Sequence, residues 1–168
     1  MVESALTHVR LLEERGFFQV KISLKSSAVL STVAAYRLLA RQVNYPLHIG
    51  ITEAGTPLRG ATRSGIGLGL LLFEGIGDTL RVSLTGNPVQ EMLVAWELLR
   101  SLGLRERGPE IISCPTCGRT EVNLIELAQA VEKTTGARTR AFYCRSDGLR
   151  GQRSGRGAGS RYWHCRGP

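Results

Sequence analysis

Apolar and polar positions along the first 113 residues switch repeatedly between two periods. Glu3 to Arg15 carries Ala5, Val9 and Leu12 at helical spacing and stops at Gly16. Phe18-Gln19-Val20-Lys21-Ile22-Ser23-Leu24-Lys25 then alternates strictly, the two-residue period of a strand with one covered face. Ser26 or Ser27 is placed to cap a helix running to about Val43, with Val29, Val33, Tyr36 and Leu39 or Ala40 on its buried side. Pro46-Leu47-His48-Ile49-Gly50-Ile51 is short and apolar, as parallel strands are, and Thr52 to Gly60 reads as a loop.

The alternation of elements continues. A helix is predicted from about Thr62 to Glu74, apolar nearly all round, with Gly65, Gly67 and Gly69 letting it lie close to a sheet. These glycines lack the Gly-x-Gly-x-x-Gly spacing of a dinucleotide site, so packing explains them better. Thr79 to Leu84 is a third strand; Asn87 caps and Pro88 opens a helix ending near Leu102-Gly103. Glu110 to Ser113 is a fourth strand, and Val122 to Lys133 the helix after it.

Strands recur roughly every thirty residues, the length of a β-α-β unit, which predicts an α/β fold with a parallel sheet. Functional groups gather at the C-terminal ends of such strands. That rim holds Lys25, Glu53, Arg81 with Ser83, and Cys114 with Cys117. Two cations and a hydroxyl suit a phosphate or diphosphate, through charge-assisted hydrogen bonds. Glu53 beside them is an acid/base candidate. The competing reading makes Lys25, Arg81 and Glu53 rim ion pairs and Ser83 structural. His48, inside an apolar strand, is expected to be a hydrogen-bonded core histidine, and His8 a solvated one. Cys114-Pro115-Thr116-Cys117 brings two thiols into one small volume, suiting a tetrahedral metal, an iron–sulfur cluster or a redox disulfide.

Composition changes the picture at one end only. No run of eighteen apolar residues and no basic segment followed by an apolar core occurs, so no membrane span and no signal peptide is expected, and the protein reads as cytoplasmic. Four cysteines there favour metal or redox use over structural disulfides. Of a net charge of +8, residues 138–168 supply +7 from eight Arg and one Asp. The body is nearly neutral, which argues against a nucleic-acid-binding body.

Several stretches together resemble one family. Lys21-Ile22-Ser23-Leu24-Lys25-Ser26-Ser27, Ile49-Gly50-Ile51-Thr52-Glu53-Ala54-Gly55, Ser64-Gly65-Ile66-Gly67-Leu68-Gly69-Leu70-Leu71, Glu74 to Leu84 and Ser113 to Arg119 are similar, in this order, to 4-hydroxy-3-methylbut-2-enyl diphosphate synthases of the methylerythritol phosphate route to isoprenoids. The resemblance covers residues 1 to about 138. It implies the last part of a TIM-type barrel, about three β-α units (1–108), then the start of a small α/β iron–sulfur domain (109–138). It further implies that Lys25, Arg81 and Ser83 hold the substrate diphosphate, that Glu53 lies near the reacting carbons, and that Cys114 and Cys117 ligate a [4Fe–4S] cluster. Such enzymes reductively open 2-C-methyl-D-erythritol 2,4-cyclodiphosphate with electrons from flavodoxin or ferredoxin, and the intact family is homodimeric, with neither nucleic acid nor membrane as a partner.

Two departures follow. About three of eight barrel units cannot close a barrel, so apolar sheet edges are expected. The family's third cysteine and carboxylate ligand come from a segment reading MGCVVNGPGE, which this chain lacks. Yet Asp147 to Gly157, written in suitable codons and read one nucleotide later, spells MGCVVNGPGE, and Tyr162 to Pro168 in the same register spells IGIAGG, the family's continuation. The reading frame is therefore expected to slip between about Arg138 and Tyr143, leaving 139–168 as an out-of-frame, disordered tail. No turnover is expected from this polypeptide alone. The alternative takes the tail at face value: Cys114, Cys117 and Cys144 with His164 or Cys165 bind zinc, and the Arg/Gly tail contacts nucleic acid.

Overall fold

The computed structural model describes residues 1–106, 110–113, 123–135, 143–146 and 164–166. The chain divides into two compact units, Met1–Arg105 and Glu106–Pro168. No helix among the described residues is long and apolar enough to cross a membrane.

The first unit runs α1 (Val2–Glu13), α2 (Val29–Ala40), β1 (His48–Gly50), α3 (Pro57–Phe73), β2 (Thr79–Arg81) and α4 (Pro88–Ser101). β1 and β2 pair in parallel, with His48 opposite Thr79 and Gly50 opposite Arg81. The alternating stretch before α2 joins this sheet at Ile22, bridged in parallel to Leu47. Its ladder is short: the Ile22 amide donates to Pro46 O and the His48 amide to Ile22 O. The next inward amide, Leu24 N–H, turns away to the Tyr36 hydroxyl. A side chain on α2 has thus replaced the third ladder bond, and the predicted strand is an extended segment with one bridge.

Alternation sorts the two faces of the sheet. Ile22, Leu24, Leu47, Ile49, Ile51 and Val82 are buried, and the core they form includes Val33, Tyr36 and Leu39 of α2 and Leu68 and Leu71 of α3. On α1 only Val9 is buried; Leu12, expected inside, is exposed. Of the four α3 glycines, two leave no room for a side chain: Gly60, where a Cβ would lie 2.5 Å from Leu84 Cδ2, and Gly67. A Cβ at Gly67 would lie 2.7 Å from Ile51 Cδ1 and 3.2 Å from Val29 Cγ1, whereas Gly65 meets nothing within 4 Å.

Helix starts follow local chemistry. α3 begins at Pro57, earlier than the apolar pattern suggests, because proline's fixed φ suits the first helical turn. Asn87 caps α4 as expected, its side-chain oxygen accepting from Val89 N at 2.9 Å. α2 starts at Val29; neither serine is its N-cap, although Ser26 Oγ accepts from Ala28 N.

The second unit contains β3 (Glu110–Ser113), α5 (Leu124–Thr135), β4 (Tyr143–Ser146) and β5 (His164–Arg166). β3 and β4 are parallel and joined through α5, a β-α-β unit, while β5 runs antiparallel to β4. Two short strands therefore lie within the span 139–168; its other residues fall outside those described.

Candidate diphosphate face of the sheet

The face of the sheet opposite the core is built by the other parity. Lys21, Ser23 and Lys25 lie on the extended segment, His48, Gly50 and Thr52 on β1 and just after it, and Thr79, Arg81 and Ser83 on β2 and just after it. Lys21, Ser23 and Lys25 are exposed, and His48, Thr52, Arg81 and Ser83 half-buried. No carboxylate interrupts these three rows. Glu53 follows at the end of the β1 row, exposed and held at φ 53°, a left-handed conformation uncommon for a non-glycine residue.

Arg81 is the most constrained cation of the face. Its Nη2 donates to Thr52 Oγ1 at 3.0 Å, while its Nε is buried without a hydrogen-bond partner among the described residues. No carboxylate pairs with it among the described residues. A buried guanidinium nitrogen without an acceptor is unusual in a folded protein. The rim ion-pair reading thus fails for Arg81, and no ion pair is found at Lys25 or Glu53 either among the described residues.

His48 sits on this polar face rather than in the core. Its hydrogen bond, Nδ1 to Thr79 Oγ1 at 2.7 Å, matches the expectation of a partnered histidine. Burial pushes its pKa below the ordinary value, and the charges of Lys21, Arg81 and Lys25 push it the same way. Between the depressed pKa and the usual value near 6.5, the unfolded chain binds more protons at His48 than the fold does, so stability should fall as pH drops through that window. His48→Gln should remove this part of the acid sensitivity in urea titrations repeated from pH 7.5 to about pH 5, the interval that brackets the ordinary histidine pKa; an unchanged pH profile would exclude His48 as its source. His8 is exposed, as expected, its Nδ1 within 2.7 Å of Ser4 O.

A cavity of about 380 Å³ adjoins these residues, lined by Ser4, His8 and Leu12 of α1 and by Lys21, Ser23 and Lys25. Arg81 and Ser83 do not line it. It lies between α1 and the extended segment.

Cys114 and Cys117 lie outside the described residues. Among the described residues no group of three or more His, Cys, Asp or Glu side chains is placed to hold a metal ion. Backbone pairing sets Cys144 opposite Cys165 across β4 and β5.

With this geometry in place, comparison with known proteins decides the family. A family model described as the GcpE TIM-barrel domain matches residues 1–96. The chain belongs to the GcpE TIM-barrel family. A relative from Maridesulfovibrio salexigens is 71% identical over 132 residues, 79% of this chain and 37% of its own length. One from Nitratidesulfovibrio vulgaris is 63% identical over 142 residues (84% of this chain, 37% of the relative), and one from Geobacter sulfurreducens 64% over 133 (79% and 38%). All three are named 4-hydroxy-3-methylbut-2-en-1-yl diphosphate synthase (flavodoxin). The chain thus spans little more than a third of the length of these GcpE relatives. The zinc and nucleic-acid alternative gains no support from these matches.

Sequence reasoning put Lys25, Arg81 and Ser83 on the rim, and all three lie on the polar face of the GcpE sheet. It passed over Thr52, assigned to a loop, and Gly50, hidden in an apolar run. The signal was parity: His48, Gly50 and Thr52 alternate with Leu47, Ile49 and Ile51.

Proposed function

We propose that residues 1–106 form the diphosphate-holding part of a 4-hydroxy-3-methylbut-2-enyl diphosphate synthase, which reductively opens 2-C-methyl-D-erythritol 2,4-cyclodiphosphate in isoprenoid biosynthesis. The observation that carries this reading is the carboxylate-free face of the sheet, on which Arg81 keeps a buried Nε without an acceptor among the described residues. Lys25 and Arg81 would neutralise the diphosphate, and Ser83 would donate a hydrogen bond to it. Glu53, fixed by its left-handed backbone at the end of the β1 row, would face the reacting carbons as a proton donor or acceptor.

The iron–sulfur side of the reaction is incomplete in this chain. A bound [4Fe–4S] cluster supplies single electrons, which flavodoxin, named in the relatives' activity, or ferredoxin would deliver to the intact homodimer. Cys114 and Cys117 would be two of its ligands. The MGCVVNGPGE segment that would bring the others is absent, so the donor set does not fit the cluster. No turnover is expected from this polypeptide by itself.

Diphosphate binding is the part this chain should retain. Isothermal titration with inorganic pyrophosphate should give a single site on the 168-residue protein, weakened at least tenfold by Arg81→Gln and by Lys25→Gln, the loss expected for removing a charge-assisted hydrogen bond. Wild-type binding no tighter than that of the double variant would refute the assignment.

A further inference from the structure

The side chain of Arg81 does not find its place unaided. β1 and β2 are in register so that Gly50 stands directly opposite Arg81. A Cβ built on Gly50 would come within 3.1 Å of Arg81 O, 3.5 Å of Arg81 Cβ and 3.6 Å of Arg81 Nε. The bare glycine is the floor over which the arginine stem lies. Two residues further on, Thr52 Oγ1 accepts from Nη2 at 3.0 Å and ties the guanidinium to the C-terminal end of β1. Thr52 itself is fixed by its backbone, since its amide donates to Ser26 O at 3.1 Å.

We infer that Thr52 is a positioning residue for anion binding. Its hydroxyl, with Gly50 as the floor, holds the Arg81 guanidinium across β1 so that the remaining Nη donors stay free for a phosphate oxygen. This rests on the reading of Arg81 as a diphosphate ligand and adds to it a residue that need not touch the ligand.

Three features favour this over an incidental contact. A guanidinium has five donors in a rigid plane, so fixing one of them fixes the direction of the rest. The group that fixes it is a neutral hydroxyl, which leaves the positive charge uncompensated for an incoming anion; a carboxylate in the same place would have neutralised it. Among the described residues the buried Nε has no hydrogen-bond partner, an unusual state for a buried donor.

The test compares Thr52→Val, close in shape but without the hydroxyl, with Thr52→Ser, which keeps it. In the ligand-free protein, nitrogen NMR of the arginine side chains should resolve separate Nη signals for Arg81 in wild type and Thr52→Ser. These signals should merge by rotation in Thr52→Val. Pyrophosphate affinity should fall about tenfold in Thr52→Val and stay within about twofold of wild type in Thr52→Ser, as expected for one hydrogen bond to a charged group. Thermal unfolding of all three separates this effect from misfolding, because a purely structural role would lower stability without changing the Arg81 signals at low temperature. Wild-type affinity and resolved signals in Thr52→Val would overturn the inference while leaving Arg81 a ligand. Wild-type protein that does not bind pyrophosphate would overturn the ligand reading, and the inference with it.

Discussion

Replacing Tyr36 with phenylalanine should destabilise the protein by about 3 kcal/mol, far more than the loss of one oxygen suggests. Tyr36 is fully buried. Its hydroxyl accepts from Leu24 N at 2.8 Å and lies 3.1 Å from Leu24 O and 2.7 Å from His48 O, in reach to donate to either. Burial raises its pKa above the usual phenol value, so the proton needed for donation is retained. One atom from α2 thus joins the extended segment to β1 at the place where the ladder between them ends. Phenylalanine would leave a buried amide unpaired, and each such group costs roughly 1–3 kcal/mol. Urea unfolding measures the effect. Tyr45→Phe is the control: its hydroxyl donates to Glu13 Oε1 at 2.7 Å near the surface, and its removal should barely move the midpoint. Equal midpoints for the two variants would show that the Tyr36 hydroxyl does not hold the segment. The functional consequence is local, since Lys25 directly follows the residue whose amide Tyr36 binds.

The same residues show where the sequence was legible and where it was not. Helix positions were readable because burying an apolar stripe requires a period near 3.6, and Val33, Tyr36 and Leu39 fall on one buried side of α2 as that period requires. The parallel pairing of β1 and β2 is what the roughly thirty-residue spacing predicts. Strand extent was not readable. The diversion of Leu24 N–H to a phenol twelve residues away is a tertiary choice that no two-residue period records. The polar face was half readable: Lys21, Ser23 and Lys25 alternate openly, whereas His48 and Gly50 sit in a run that looks apolar throughout. Gly50 looked like filler because its use depends on a partner thirty-one positions away in the chain, Arg81. The cysteine pair was the most legible chemistry in the sequence, and it lies outside the described residues.

The largest expected effect on chemistry concerns the basic tail. Deleting one base between codons 138 and 143 should convert the Arg-rich ending into one containing MGCVVNGPGE followed by IGIAGG. Two family segments in one register and in the right order are hard to obtain by chance, and a frame slip would also account for the abrupt change from a nearly neutral body to a tail of +7. The frame-restored protein would add a third thiolate and a carboxylate to Cys114 and Cys117. Three or four protein ligands hold a cubane cluster far better than two, because each remaining open iron site is exposed to water and oxygen. After anaerobic reconstitution, the restored protein should therefore be brown and contain about four iron and four sulfide per chain, while the present sequence should retain almost none. Serine at the newly read cysteine should return the restored protein to the colourless state. If the restored protein holds no more iron than the present one, the tail is not a displaced reading of the cluster segment. Sequencing of the gene adds an independent check: a frame intact through codon 140, with closely related genes sharing the Arg/Gly-rich ending, would mean that the tail is the natural one.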